Sequence, residues 1–253
     1  MSLKLIANWK LNGSQSFSQD WLNNFNKCYE GSSISSIGIA PPSILLNHLA
    51  NHADNPGILI GSQNVDHFSI GARTGEISTD MVIDSGGKFS IAGHSERRTL
   101  FNETNADIAK KLDLISQSLL IPILCIGESF EEKRQNKTEQ ILEQQIIQAL
   151  SASEKLHNLI IAYEPVWAIG SGSSAEPKEL NSIHKLIKDI VQSRFSNLNL
   201  QAVIYGGSVS IENSSSILRE KEVDGALVGG ASLDGEAVSY THLRAHETEA
   251  ELV

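Results

Sequence analysis

Eight short apolar runs recur along the chain, at residues 3–8, 36–40, 58–63, 89–93, 121–126, 159–164, 202–206 and 225–229. They are continuous rather than alternating, the pattern of strands buried on both faces. Between them the apolar spacing changes to that of helices. Trp21, Leu22 and Phe25 form one stripe, and Ile108, Leu112 and Ile115 a second. Ile141, Leu142, Ile146, Ala149 and Leu150 form a third, and Ile183, Leu186, Ile187 and Ile190 a fourth. Pro177 suits the first turn of the last of these helices, which the pattern carries to about Arg194. Strands alternating with helices pair in parallel through crossovers. Eight such units predict an α/β fold, a closed (β/α)8 barrel in one domain, with an open doubly wound sheet as the competing architecture. Two connections stand out as long: residues 64–77, polar and glycine-bearing, and residues 165–175. Long loops of this kind are usually functional.

Composition narrows the classes. Forty per cent of the 253 residues are hydrophobic, enough for a large core, and 30 acidic against 20 basic side chains leave a formal charge of −10. That balance argues against a general binder of nucleic acid or of anionic membranes, which need a basic surface. It leaves room for an anionic small substrate. Cys28 and Cys125 are the two cysteines, with no C-x-x-C pair to suggest metal or redox work. No apolar run approaches the roughly 20 residues of a membrane span. The expected location is the cytoplasm.

In a barrel, the working residues stand where strands end and the following loops begin. Asn8 and Lys10 follow the first run. His94 follows the fourth, in Gly93-His94-Ser95-Glu96-Arg97-Arg98, and Glu164 ends the sixth, in Ala162-Tyr163-Glu164-Pro165. Ser208 follows the seventh, in Tyr205-Gly206-Gly207-Ser208, and Gly229-Gly230 the eighth. Taken singly, each has a plain structural reading: a solvated lysine, a hydrogen-bonded histidine, ordinary glycine turns. Ser95-Glu96-Arg97-Arg98 reads equally as a helix start with Ser95 as its cap and an ion pair nearby. Their convergence on one mouth points to chemistry. A carboxylate at the edge of a buried run is a candidate proton acceptor. Glycine lets backbone N–H groups approach a phosphate, which barrels commonly hold at the loops after strands 7 and 8. Gly170-Ser171-Gly172-Ser173-Ser174-Ala175 spells a dinucleotide pattern, but it starts too far past its strand to work as one.

Five segments together resemble the triosephosphate isomerases: residues 8–13, 93–98, 162–170, 205–209 and 227–233, within a likeness that covers Lys4 to about Gly235. The resemblance implies a TIM barrel over residues 1–235 and isomerisation of dihydroxyacetone phosphate and D-glyceraldehyde 3-phosphate in glycolysis and gluconeogenesis. By resemblance Glu164 is the general base and His94 a neutral imidazole that polarises the carbonyl. Lys10 pairs with substrate charge, Asn8 hydrogen-bonds near the carbonyl oxygen, and Glu96 supports the site from behind. Gly170, Ser208, Gly229 and Gly230 correspond to phosphate-binding backbone. Pro165, Val166, Trp167, Ala168, Ile169, Gly170, Ser171, Gly172, Ser173, Ser174 and Ala175 correspond to a lid that closes over the phosphate. The loop bearing Arg73, Thr74, Gly75 and Glu76 corresponds to a contact with a second subunit, and so implies a homodimer. Such a shift of one proton needs a base, an electrophile and a phosphate anchor, and neither a metal nor a redox cofactor. Two other readings stay open: another sugar-phosphate barrel enzyme, or a barrel that binds phosphate without catalysis.

The chain departs from the pattern in places. Ser171 stands where threonine is common, and Arg73 where an aromatic residue is usual. Residues 236–253 are polar with a weak apolar stripe, an atypical tail where the resemblance expects a last helix. The expectation is a folded barrel of reduced stability.

Overall fold

The structure, a computed structural model, describes residues 3–29, 36–151, 155–168 and 175–240. Eight parallel strands close in sequence order into a barrel. They are β1 (Leu3–Asn8), β2 (Ser36–Ala40), β3 (Ile58–Ser62), β4 (Phe89–Ala92), β5 (Ile121–Ile126), β6 (Asn158–Tyr163), β7 (Asn199–Tyr205) and β8 (Ala226–Val228). Around them run α1 (Gln15–Cys28), α2 (Ser43–His52), α3 (Thr79–Asp84), α4 (Ser95–Leu100) and α5 (Asn105–Ser116). The ring of helices continues with α6 (Phe130–Arg134), α7 (Thr138–Leu150), α8 (Pro177–Arg194) and α9 (Ile211–Leu218). Closure is made where β8 lies beside β1, with Leu5, Ile6 and Ala7 opposite Ala226, Leu227 and Val228. That pairing removes the open-sheet alternative.

The continuous apolar runs have a simple cause. Alternate side chains of each strand point to two different cores. Ile6, Ile91, Ile123, Ile160, Ile204 and Leu227 fill the barrel interior. Their neighbours Leu5, Ile39, Leu124, Ile161, Val203 and Val228 face the helices. The helical stripes dock on this outer layer: Trp21, Leu22 and Phe25 from α1, Ile108, Leu112 and Ile115 from α5, and Leu142, Ile146, Ala149 and Leu150 from α7 are all buried. Ile141 and Leu186 lie at the half-buried margins of their stripes. Pro177 opens α8, where its missing N–H costs nothing, and the helix ends at Arg194. Among the described residues no helix is long and apolar enough to cross a membrane.

Strand ends matter most for the site. β6 stops at Tyr163, one residue before Glu164, yet the Glu164 N–H still donates to the Ile126 carbonyl at 2.7 Å. The backbone of Glu164 is therefore fixed by the sheet. Residues 235–240, part of which the sequence places in the atypical tail, are helical. Asp234 caps this turn by accepting from the N–H groups of Glu236 and Ala237, and Ala237 and Val238 are buried.

Candidate active site

The strand-end residues meet at one mouth of the barrel. Asn8, Lys10, His94, Glu164, Ser208, Gly229 and Gly230 line a single cleft of about 200 Å3, together with Gly206, Gly207, Val209, Leu227 and Ala231. Glu96 stands just behind it, its carboxylate 2.7 Å from Lys10 Nζ. Of the residues expected at the site, Gly170 lies outside the described residues, as do Ile169, Ser171, Gly172, Ser173 and Ser174 of the expected lid.

Lys10 has φ 52°, a left-handed conformation that a lysine rarely adopts. Its N–H donates to Asn8 Oδ1 at 3.1 Å. Its carbonyl accepts from Gln63 Nε2 at 2.9 Å, and the same amide group reaches the Ala40 carbonyl at 2.9 Å. The side chain passes over Gly229, where a Cβ would stand 3.2 Å from Lys10 Cε. Glycine at 229 thus makes room for the lysine.

His94, rather than Ser95, is the N-cap of α4: its Nδ1 accepts from the Glu96 N–H at 3.2 Å. The serine hydroxyl makes no such bond, and Ser95 is instead the first residue of the helix. A ring nitrogen that accepts a hydrogen bond carries no proton, so the neutral imidazole holds its proton on Nε2. That nitrogen lies 3.0 Å from Glu164 Oε1. Burial opposes a charge on His94, while the carboxylates of Glu164 and Glu96 favour one, and with Glu164 against the ring the balance lies above the usual histidine value. The Glu96 N–H on Nδ1 works the other way, since only the unprotonated nitrogen can accept it.

Glu164 is 1 % exposed. Its Oε2 accepts from the Ser95 N–H at 2.8 Å, at the start of α4. Oε1 makes no well-aligned hydrogen bond, and His94 is its close polar neighbour. A carboxylate so placed is held by a peptide N–H at the wall of the cleft. Gly206 leaves it space, since a Cβ there would come within 2.7 Å of Glu164 Cγ.

Beyond Glu164, Val166–Ala168 form a 3-10 turn. Glu128, fully buried after β5, grips it. Its carbonyl accepts from the Val166 N–H at 3.1 Å, and its carboxylate accepts from Trp167 Nε1 at 3.0 Å and from the Tyr163 hydroxyl at 3.1 Å. Burial pushes the Glu128 carboxyl up, opposed by those donors. Ser208 Oγ donates to the Ala168 carbonyl at 2.7 Å, tying the β7 loop to the same turn. Glu128 and Gln63 were not singled out in the sequence, although the rule that picks Glu164, a polar residue just past a buried strand, picks both.

Arg73 folds back within its own loop, pairing with Asp66 at 2.9 Å and standing 5.0 Å from the Phe68 ring centre. The ion pair holds Asp66 below the ordinary aspartate range, although burial works the other way. Thr74, Gly75 and Glu76 are exposed at the loop tip, and Gly75 takes φ 94° there.

A barrel mouth that gathers a buried carboxylate, an imidazole and a lysine ammonium around one small cleft is the kind of site that acid–base enzymes use. Comparison with known proteins makes this specific. The family model described as triosephosphate isomerase matches residues 3–243. The chain is 42% identical over 236 residues to the triosephosphate isomerase of Enterobacter cloacae, with 92% of each chain covered. It is 38% identical over 235 residues to that of Nitrosococcus oceani, covering 92% of this chain and 94% of the relative. Against that of Escherichia coli strain K12 the identity is 40% over 236 residues, with 92% of each covered. The chain belongs to the triosephosphate isomerase family, and it is an isomerase.

Proposed function

We infer that the chain interconverts dihydroxyacetone phosphate and D-glyceraldehyde 3-phosphate, with Glu164 as the base. The Glu164 carboxylate leaves the Ser95 N–H, takes a proton from C1 of the ketose and leaves an enediolate with charge on the C2 oxygen. His94 Nε2–H donates to that oxygen, Asn8 lies beside it, and Lys10, steadied by Glu96, offsets the growing charge. Glu164 returns its proton at C2, and His94 relays the C1 hydroxyl proton to the C2 oxygen, so no atom is gained or lost. Backbone at Ser208, Gly229 and Gly230, with Gly170, holds the phosphate. The observation that carries this reading is the meeting of Glu164, His94 and Lys10, from three distant strands, in one cleft.

Residues 165–175 serve as the lid in this reading. Pro165 and Val166 form its first hinge, and the hold of Glu128 and Ser208 on the turn that follows supports the role. Closure excludes water and protects the enediolate. A second copy of the chain is the partner of the loop at residues 64–77. Exposed apolar side chains on this loop and on other elements support this, among them Ile70 at 88 %, Leu11 at 96 % and Ile44 at 86 %. The enzyme works in the cytoplasm.

A coupled assay with glyceraldehyde 3-phosphate tests the activity. Glu164→Gln is expected to lower kcat by at least about a thousandfold while sparing binding of inorganic phosphate. A variant near full rate would overturn the assignment of the base. Light scattering of the intact chain should give twice the monomer mass, and a monomer would remove the partner from the scheme.

A further inference from the structure

We propose that Arg98 is a positioning residue for the isomerisation, one that orients His94 through the Gly93 carbonyl and sets a half-buried positive charge behind Glu164. The proposal rests on the roles of Glu164 and His94 given above.

The two arginines of the Ser95-Glu96-Arg97-Arg98 segment behave differently. Arg97 pairs with Glu103 at 2.6 Å, a conventional ion pair. Arg98 has no carboxylate within 4 Å among the described residues. Its guanidinium instead spends its donors on three neutral acceptors: Nε on the Gly93 carbonyl at 2.7 Å, Nη1 on Asn105 Oδ1 at 2.6 Å, and Nη2 on the Cys125 carbonyl at 2.9 Å. These acceptors belong to the end of β4, the start of α5 and the end of β5. A half-buried cation bonded to neutral acceptors in place of a carboxylate gives up part of its hydration without an ion pair in return, so this arrangement asks for a reason.

Geometry supplies one. The Gly93 carbonyl is part of the peptide that leads into His94. Gly93 takes φ 73°, and a Cβ there would stand 2.8 Å from Ile108 and 3.0 Å from Arg98 Nη2. The peptide is thus wedged between α5 and the guanidinium. The direction in which the imidazole leaves the backbone follows from that wedge. Three bonds in three directions match a planar fork and not the single ammonium of a lysine. Asn105 is itself held by Gln148 of α7 at 2.8 Å, so the fork is braced from outside.

Electrostatics supplies a second reason. The groups that feel Arg98 are Cys125 on β5, Glu164 after β6 and Glu103 before α5. Burial and Glu164 keep the Cys125 thiol protonated. Glu103 is already neutralised by Lys111 at 2.8 Å and by Arg97. Glu164 faces the ring of His94, the Cys125 thiol and, across the cleft, Lys10. Arg98 is a permanent cation on its protein side, so removing that charge acts on the step in which Glu164 takes the proton.

The test compares the intact enzyme with Arg98→Met and Arg98→Lys, recording kcat, KM and the pH dependence of kcat/KM on one substrate. Arg98→Met is expected to lower kcat by about 10- to 100-fold, the scale of a misplaced catalytic group, with KM changed by less than about threefold. The acid limb of kcat/KM moves to higher pH. Arg98→Lys keeps the charge without the fork, so it restores the acid limb while kcat stays low. Should Arg98→Met fail to fold, Asn105→Ala removes one acceptor, and a fall in kcat of about threefold at unchanged KM is expected. A kcat within about twofold of the parent in folded Arg98→Met, or in Asn105→Ala where that variant stands in, overturns the proposal. So does a loss that tracks the unfolded fraction with an unmoved acid limb. Glu164→Gln run alongside separates the two claims. If it keeps the rate, the site reading falls and takes this proposal with it. If it is inactive while Arg98→Met is fully active, the role of Arg98 alone is wrong.

Discussion

Lys10 shows how much of a site is built from backbone. A left-handed lysine costs roughly 1–2 kcal/mol relative to an ordinary conformation, and strain of this kind persists where neighbours over-determine it. Here Asn8 and Gln63 do so, from one side of the residue and the other. Gln63→Ala removes both bonds of that amide group. It is expected to cost about 1–2 kcal/mol of stability and to lower kcat/KM about tenfold as Lys10 relaxes. Steady-state kinetics on the folded variant checks this, and an unchanged kcat/KM would show that Lys10 is held without Gln63.

His184 carries the opposite lesson, a titratable group with no part in catalysis. It is fully buried, its Nδ1 is 3.1 Å from the Val203 carbonyl, and its Nε2 has no well-aligned hydrogen bond among the described residues. Burial pushes its pKa down to about 4 from 6.5. The unfolded chain therefore binds the proton more readily. Stability from this group is full above pH 6.5 and is lost as the pH falls toward 4, by about 3 kcal/mol in all. Urea unfolding at pH 7 and pH 4.5 should show a smaller acid loss in His184→Gln than in the parent, and parallel losses would refute the assignment.

At the scale of elements, the barrel interior is a packing problem shared among strands. Gly61 on β3 faces Phe89 on β4, and a Cβ at Gly61 would lie 2.5 Å from the ring. The bare strand makes room for the one large aromatic side chain of the interior cluster. Gly61→Ala is predicted to destabilise by about 1–3 kcal/mol through overpacking. Phe89→Leu added to it should recover part of the loss. Thermal melts of the single and double variants decide this, because additive losses would mean that the two positions do not compete for space.

For the molecule as a whole, the weakest part of the ring is its seam. β8 has three residues, and its pairing with β7 rests on Tyr205 opposite Ala226. Outside the seam a small apolar cavity of about 10 Å3 remains among Leu5, Ala7, Val209, Ile211, Val228 and Ala231, with Ala237 and Val238 at its edge. The sequence of residues 241–253 is largely polar. Replacing those residues by a helix with an apolar stripe is predicted to raise Tm by about 4 °C or more, at about 2–4 °C per kcal/mol for a chain of this size. Equal melting temperatures would show that the seam gains nothing from such cover.

What the sequence determined by itself is what local pattern can carry. A strand buried on both faces must be apolar throughout, and a helix docked on one side must repeat its apolar residues every three or four positions. The eight units and their order follow from that. The residues at the strand ends follow too, because a parallel barrel collects them at one mouth: Lys10, His94, Glu164, Ser208 and Gly229 were all legible. Tertiary structure decided the partners. Gln63 braces Lys10 from 53 residues away, Glu128 holds Trp167 from 39, and Glu164 rests on the N–H of Ser95 from 69. It also decided which arginine of a neighbouring pair makes an ion pair and which braces two strands, and it turned Arg73 inward onto Asp66. Hydrogen bonds and charges act over a few ångströms of space. Which groups come that close is set by the closure of the ring, and no single stretch of chain records it.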